Sequence, residues 1–293
     1  MYITYLKLFL SALFWGSSAI VGKLLFKEFL PSQVIFIRFA LASIFLSFLI
    51  FVVKREPLYV SIKGHFKLII LGIIGVTLCY YFYIKGLYLS SALNAGLIES
   101  TIPLITLLLA IIIQEEKFRL LNTIGFILAY LGVVIIITKL DFNTIKNSTY
   151  NIGDIYLLIS TLCFGIYNIL VKKFKFNNID NGQKLFFIFF YGSIFLLPWL
   201  YQDLTSGNLT WNLSFLNIFY ILILSLGASV IAYIFFNEGI EKIGASKASS
   251  FINLVPIITI ILAIIFLKEI PSLSQIIGII TILSGVYLSN FNK

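Results

Sequence analysis

Charge is scarce in this sequence. Asp, Glu, Lys and Arg make up 11% of its 293 residues, against about 25% in a soluble domain, whose surface must be hydrated. So few charges cannot cover a soluble core built from a chain of this length, which excludes an ordinary water-soluble globular protein. Histidine is scarcer still. His65 is the only one, falls by hydropathy in a loop, and rules out a His-based metal centre within one chain. The cysteines, Cys79 and Cys163, lie inside apolar runs without spaced partners and read as small core residues. Catalytic groupings are missing as well. There is no G-x-S-x-G turn for a serine nucleophile, and Asp141, Asp154, Asp180 and Asp203 fall in loops or at the edges of apolar segments rather than paired within them. No G-x-x-x-x-G-K-[ST] loop is present to hold ATP, and nothing calls for a cofactor. An intramembrane enzyme is a weak alternative on these residues.

What the chain has instead is hydrocarbon. Apolar residues make up 60% of it and the mean hydropathy is +1.05. A membrane helix needs about 20 mostly apolar residues at 1.5 Å rise, and ten such segments follow one another. They run over Leu6 to Leu25, Pro31 to Val53, Lys67 to Tyr88, Ala92 to Ile113 and Leu120 to Thr138 in the first half. In the second half they run over Asp154 to Val171, Leu185 to Tyr201, Phe215 to Asn237, Ala248 to Leu267 and Ser272 to Leu288. The first segment follows Lys7 as a signal peptide would, but no small-residue cleavage site follows it, so it is expected to be retained as a helix. The expected class is an all-α integral membrane protein of ten transmembrane helices, with residues 1–140 and 154–293 as two five-helix units and the polar stretch 141–153 as a linker.

The basic residues orient these spans. The net charge of +9 is spread in short clusters between apolar segments, not gathered in a stripe that would bind nucleic acid. With the N-terminus cytoplasmic, 14 of the 21 Lys and Arg residues fall on the inner side and six outside, with Arg38 inside the second span. That bias predicts a multi-pass cell-membrane protein with both termini in the cytoplasm. Trp199 and Trp211 would then sit at the interface around the loop after the seventh span.

The two halves repeat each other. At a shift of 153 residues Gly86 meets Gly239, Pro103 meets Pro256, Glu116 meets Glu269, Gly125 meets Gly278 and Gly132 meets Gly285. Tyr80 meets Tyr233 in the same register. A shift of 149 pairs Ser11 with Ser160, Gly16 with Gly165 and Lys23 with Lys172. Five spans per half is an odd number, so the second copy enters the membrane from the opposite side. Inverted repeats related by a pseudo-two-fold axis in the membrane plane are a recurrent plan of secondary transporters, because two similar halves can exchange conformations around a central site. A channel or a lipid-handling protein would share the hydropathy and remains open.

The run Ser246-Lys-Ala-Ser-Ser-Phe-Ile-Asn-Leu-Val-Pro256 through Glu269, then Gln275-Ile-Ile-Gly278 and Ser284-Gly-Val-Tyr-Leu288, resembles an EamA-type domain, as does its partner from Ala92 through Glu116 to Gly132. EamA domains belong to the drug/metabolite transporter superfamily, and two in tandem would span nearly the whole chain. The resemblance implies a transporter with a central cavity, similar to exporters of amino acids and other metabolites. Many such proteins carry a polar or acidic residue just before the motif proline, where this chain has Ile102 and Val255.

Candidate cavity residues cluster near those prolines. Pro103 and Pro256 each remove a backbone donor and crowd the preceding turn, so each should kink its helix. Freed backbone groups are tolerated in a membrane where they line a cavity. Glu99 lies mid-span, where an acidic group costs about 2.5–3.5 kcal/mol, and such residues mark ion or substrate paths. It shares a helix face with Gly96 and Pro103, and its repeat mate is Ile252. The alternative for Glu99 is an ion pair with Arg38. Ser100 and its mate Asn253 are polar in both copies, and Gly96 and Ser249 are small enough for close helix contact. Tyr80, Tyr233, Trp15, Tyr167 and Asn168 are candidate cavity walls. Glu115, Glu116 and Glu269 read as interface charges beside Lys117 and Lys268. An aromatic cavity with one carboxylate suits a small cation or zwitterion such as an amino acid, with proton coupling through Glu99.

Overall fold

The computed structural model describes residues 2–54, 60–113, 120–141, 150–176, 179–205, 212–243 and 250–290, and these contain helices and no strand. Trp211, Ser249, Glu115, Glu116 and most of the linker lie outside the described residues. Eight helices of the described residues are long and apolar enough to cross a membrane. They are α1 (Tyr2–Leu25), α2 (Pro31–Val52), α3 (Ile62–Leu89), α4 (Ala92–Ile112), α5 (Leu120–Thr138), α6 (Ile152–Lys173), α7 (Asn181–Thr205) and α8 (Phe215–Gly239). Two shorter apolar helices follow, α9 (Phe251–Leu267) and α10 (Leu273–Leu288).

Local chemistry sets these boundaries. Serine or asparagine side chains cap the starts: Ser91 Oγ accepts from Asn94 N at 2.9 Å before α4, and Asn151 Oδ1 from Gly153 N at 2.8 Å before α6. Before α10, Ser272 Oγ accepts from Gln275 N while Gln275 Oε1 accepts from Ser272 N, a reciprocal cap. At the far end of α9, Lys268 takes a left-handed conformation (φ 59°) and stops the helix. The third helix begins at Ile62 rather than Lys67, because Ser61 caps it. This carries His65 out of the expected loop and into a helical turn, where Nδ1 lies 2.7 Å from Tyr191 Oη on α7.

The interior helices are irregular at matching places. In α3 the turns over Ile73–Leu78 widen to π geometry, and in α8 the turns over Ile223–Ile231 do the same. In α4 the helix ends at Glu99 and restarts at Ile102, with Ser100 and Thr101 as a turn between. In α9 a 3₁₀ turn over Ser250–Asn253 precedes the α-helix from Leu254. Both breaks fall just ahead of the expected prolines, and the reason is the missing N–H. Pro103 offers no donor to the Glu99 carbonyl and Pro256 none to Ile252, one turn earlier in each case.

Helix pairing is the same in both halves. Helix α1 packs on α8 and α9 as α6 packs on α3 and α4, while α2 lies on α7, α4 on α9 and α5 on α10. Glycines permit the closest approaches. A Cβ at Gly16 would lie 2.7 Å from Ile258, and one at Gly165 would lie 2.7 Å from Ile105. Both glycines and both isoleucines are equivalents across the repeat. Along α5 and α10 a Cβ at Gly132 would stand 2.7 Å from the Gly278 carbonyl oxygen, so backbone meets backbone there.

Candidate functional site

Where the two broken helices meet α1, α3 and α6 there is a cavity of about 50 Å³. A water needs roughly 10–15 Å³ in this measure, so there is room for a few waters and not for a metabolite. Three repeat pairs line it: Glu99 with Ile252, Ile102 with Val255, and Trp15 with Phe164. The cavity therefore straddles the boundary between the halves. Its polar lining comes from every contributing helix except α9. Glu99 and Ser100 come from α4, Ser18 from α1, Cys79, Tyr80 and Tyr83 from α3, and Ser160 from α6. Among the described residues Glu99 is the only carboxylate in the lining, and its apolar mate Ile252 lines the same cavity from α9.

Beside the cavity is a second polar group. Arg38 on α2 is 3% exposed. Its Nε donates to Ser229 Oγ at 2.8 Å, and one terminal nitrogen donates to Tyr80 Oη at 3.5 Å. Ser229 is delivered by the widened turns of α8, where its own hydroxyl donates to the Leu224 carbonyl five residues back. The guanidinium also lies over the Tyr80 ring at 4.6 Å and the Phe39 ring at 5.1 Å. Tyr80 Oη and Tyr233 Oη are 3.1 Å apart, so these two repeat equivalents are bonded to each other. Trp15 packs edge-on against Tyr233 and donates its Nε1 to the Ala228 carbonyl at 3.0 Å.

The structure thus brings Glu99, Ser100, Tyr80 and Trp15 to one cavity, with Tyr233 directly behind Tyr80. It does not bring Tyr167, Asn168 or Asn253 into that lining. Tyr167 is packed on Gly75, Asn168 donates to Thr106 Oγ1 at 3.2 Å, and the buried Asn253 Oδ1 has no hydrogen-bond partner. Arg38 and Glu99 make no direct ion pair among the described residues; the guanidinium is turned onto neutral partners. Gly96 lets Thr259 approach, and Thr259 Oγ1 in turn donates to the Gly16 carbonyl at 3.0 Å.

Ser18, Cys79, Tyr83, Ser160 and Phe164 were not among the expected lining residues. Ser160 carried one usable signal, its match to Ser11 across the repeat. A further polar cluster also escaped the sequence. Asp154, expected at a span edge, is 1% exposed. It accepts from Ser90 Oγ and, at 3.0 and 3.2 Å, from Asn94 Nδ2. Gln275 Nε2 donates to Asn94 Oδ1 at 2.6 Å, Lys23 Nζ donates to the Ser90 carbonyl, and Glu269 accepts the Leu93 N–H at 3.2 Å. Helices α1, α4, α6 and α10 and the α9–α10 turn are tied together at that end of the bundle. Glu269 is accordingly a helix cap and not merely an interface charge.

The sequence profile of the EamA-like transporter family matches residues 2–138 and, a second time, residues 151–291. The chain belongs to the EamA-like transporter family. Its relatives include the uncharacterized transporter YyaM of Bacillus subtilis, 29% identical over 96% of this chain and 92% of that one. Another is an uncharacterized transporter of Archaeoglobus fulgidus, 30% identical over 98% and 96% of the two chains. One solved crystal structure, 16% identical, superposes with a TM-score of 0.61 over 98% of this chain and 96% of its own, and so shares the fold. The two EamA-like matches enclose both proline breaks and every residue of the cavity lining.

Proposed function

We propose that this EamA-like protein is a secondary transporter that exports a small metabolite, such as an amino acid, by alternating access through the cavity at the two broken helices. The observation that carries this is the cavity itself, lined by equivalent residues of both halves around one carboxylate. In this reading α9 and α10 complete ten spans, and residues 1–140 and 154–293 form inverted five-helix repeats joined by the 141–153 linker. The matched helix pairings and the Tyr80–Tyr233 contact support such an axis. The protein sits in the cell membrane with both termini in the cytoplasm, as the positive charge bias favours.

Glu99 is the coupling group, alternating between a proton and the amine of the substrate. Ser100, Tyr80, Trp15 and Tyr233 shape the cavity, and the breaks at Pro103 and Pro256 allow it to change form. The Asp154 cluster closes the outer end in the conformation described here, and the cavity is contracted around water-sized space. The test is flux in proteoliposomes loaded with radiolabelled amino acids. A carrier shows saturable release that is stimulated by unlabelled solute on the opposite side. Release that rises linearly with concentration and ignores solute on the other side would assign the protein to channels instead.

A further inference from the structure

We infer that Arg38 is the anion-recognising half of the substrate site, so that the transported molecule is a zwitterion held between the Glu99 carboxylate and the Arg38 guanidinium. This rests on the transporter reading above and adds to it a residue for the carboxylate end of the substrate.

The argument begins with the cost of the residue. Arginine stays ionised in proteins, and at mid-membrane depth it costs about 2.5–3.5 kcal/mol on insertion scales. A buried charge is ordinarily matched by an opposite one. Even the more exposed Lys7 pairs with a carboxylate, that of Glu238 at 2.6 Å. Arg38 is 3% exposed and pairs with no carboxylate of the described residues. Its protein acceptors are two neutral hydroxyls, although a guanidinium presents five N–H groups in a fork shaped for carboxylate. Such a side chain has donor capacity to spare.

The surroundings say where the missing anion enters. Tyr80 connects Arg38 to the cavity: the guanidinium lies over its ring, and Tyr80 itself belongs to the cavity lining, which Arg38 does not. The Arg38–Tyr80 hydrogen bond is 3.5 Å long, beyond the usual range for N–H···O, so it holds the ring weakly. A carboxylate making two parallel charge-assisted bonds to the same fork would displace that hydroxyl. Glu99 stands in the cavity lining within electrostatic reach of Arg38 but not in contact with it. Two opposite charges that do not touch, both neighbours of Tyr80, offer one partner for each end of a zwitterion. A purely cationic substrate would satisfy Glu99 and leave Arg38 as it is.

The experiment uses the full-length protein in detergent and reads melting temperature against concentration for three probe sets. These are the protein amino acids as zwitterions, their methyl esters, which keep the amine and lose the anion, and their N-acetyl derivatives, which do the reverse. The expected result is that at least one amino acid stabilises the wild type at a concentration about tenfold or more below its ester and its N-acetyl form. Arg38→Gln should bring the zwitterion and ester midpoints together, while Arg38→Lys, which keeps the charge without the fork, should fall between. Esters that match the zwitterions on wild-type protein overturn the inference, as does stabilisation by no amino acid. The wild-type comparison decides the question even if Arg38→Gln does not fold. Flux of esters that is saturable and equal to that of zwitterions would sink the zwitterion site and leave the carrier standing. Unsaturable flux for every class would remove the carrier itself.

Discussion

At the scale of single residues, Glu99→Gln separates the charge of the cavity from its shape. Glutamine keeps the volume and a hydrogen-bonding head, and no direct salt bridge to Arg38 is lost because none is present among the described residues. The variant should therefore melt within a few degrees of the wild type. Interactions with a charged group are worth about 1.5–3 kcal/mol, so flux should fall roughly tenfold to a hundredfold. Wild-type flux should vary with pH and the variant's should not, measured in proteoliposomes between pH 5 and pH 8. An unchanged rate and pH profile in well-folded Glu99→Gln protein would remove the carboxylate from the mechanism. Much of this neighbourhood was legible in the sequence, because a lone acid and a tyrosine repeated across two halves stand out in an apolar chain. Tyr167 and Asn168 fall outside this lining for a geometric reason. They share a helical stripe with Ser160 and Phe164, which do line the cavity, but lie about one further turn along it, and a turn is about 5.4 Å. Spacing identifies a face; it does not say how far along that face the cavity extends.

At the scale of helices, the prolines hold open breaks that the rest of the sequence would close. An N–H at position 103 could donate to the Glu99 carbonyl, and one at 256 to Ile252, restoring a continuous helix on either side of the cavity. Pro103→Ala and Pro256→Ala should fold with equal or higher melting temperatures, yet move substrate at least several-fold more slowly. Full transport by both would leave the breaks without a role in the cycle. The span limits were readable to within a few residues, since hydropathy and Ser or Asn caps both act locally. What could not be read were the meetings of distant segments. Ser90, Asn94 and Asp154 become one cluster only when α4 and α6 cross, and no local pattern marks Asp154 as buried. The widened turns that deliver Ser229 to Arg38 are equally silent, and they lie where α8 meets α1 and α2.

At the scale of the whole molecule, the ten-span reading fixes sides. Reporter fusions at Asn147 and at Lys293 should report opposite faces of the membrane, with Lys293 in the cytoplasm. The same face for both would require an even number of spans between them and would dismantle the inverted arrangement. The repeat was visible in the sequence as matched Gly, Pro and Glu. Its geometric consequence, that Tyr80 would touch its own counterpart Tyr233, was not, because matching two halves does not say which positions fall where they meet.

The lone carboxylate has a further consequence, in electrical terms. A duplicated protein with an acid in both copies could load two protons, whereas the pair Glu99 and Ile252 can load one. In the exporter proposed above, exchanging one proton inward for one neutral zwitterion outward would move a single positive charge per turnover. Each 100 mV of inside-negative potential then contributes about 2.3 kcal/mol, enough to support roughly a fiftyfold outward gradient with no pH difference at all. Proteoliposomes clamped with potassium and valinomycin should therefore export faster as the interior is made negative, and Glu99→Gln should lose that dependence. Wild-type rates that ignore the imposed voltage would mean that no net charge crosses with the substrate.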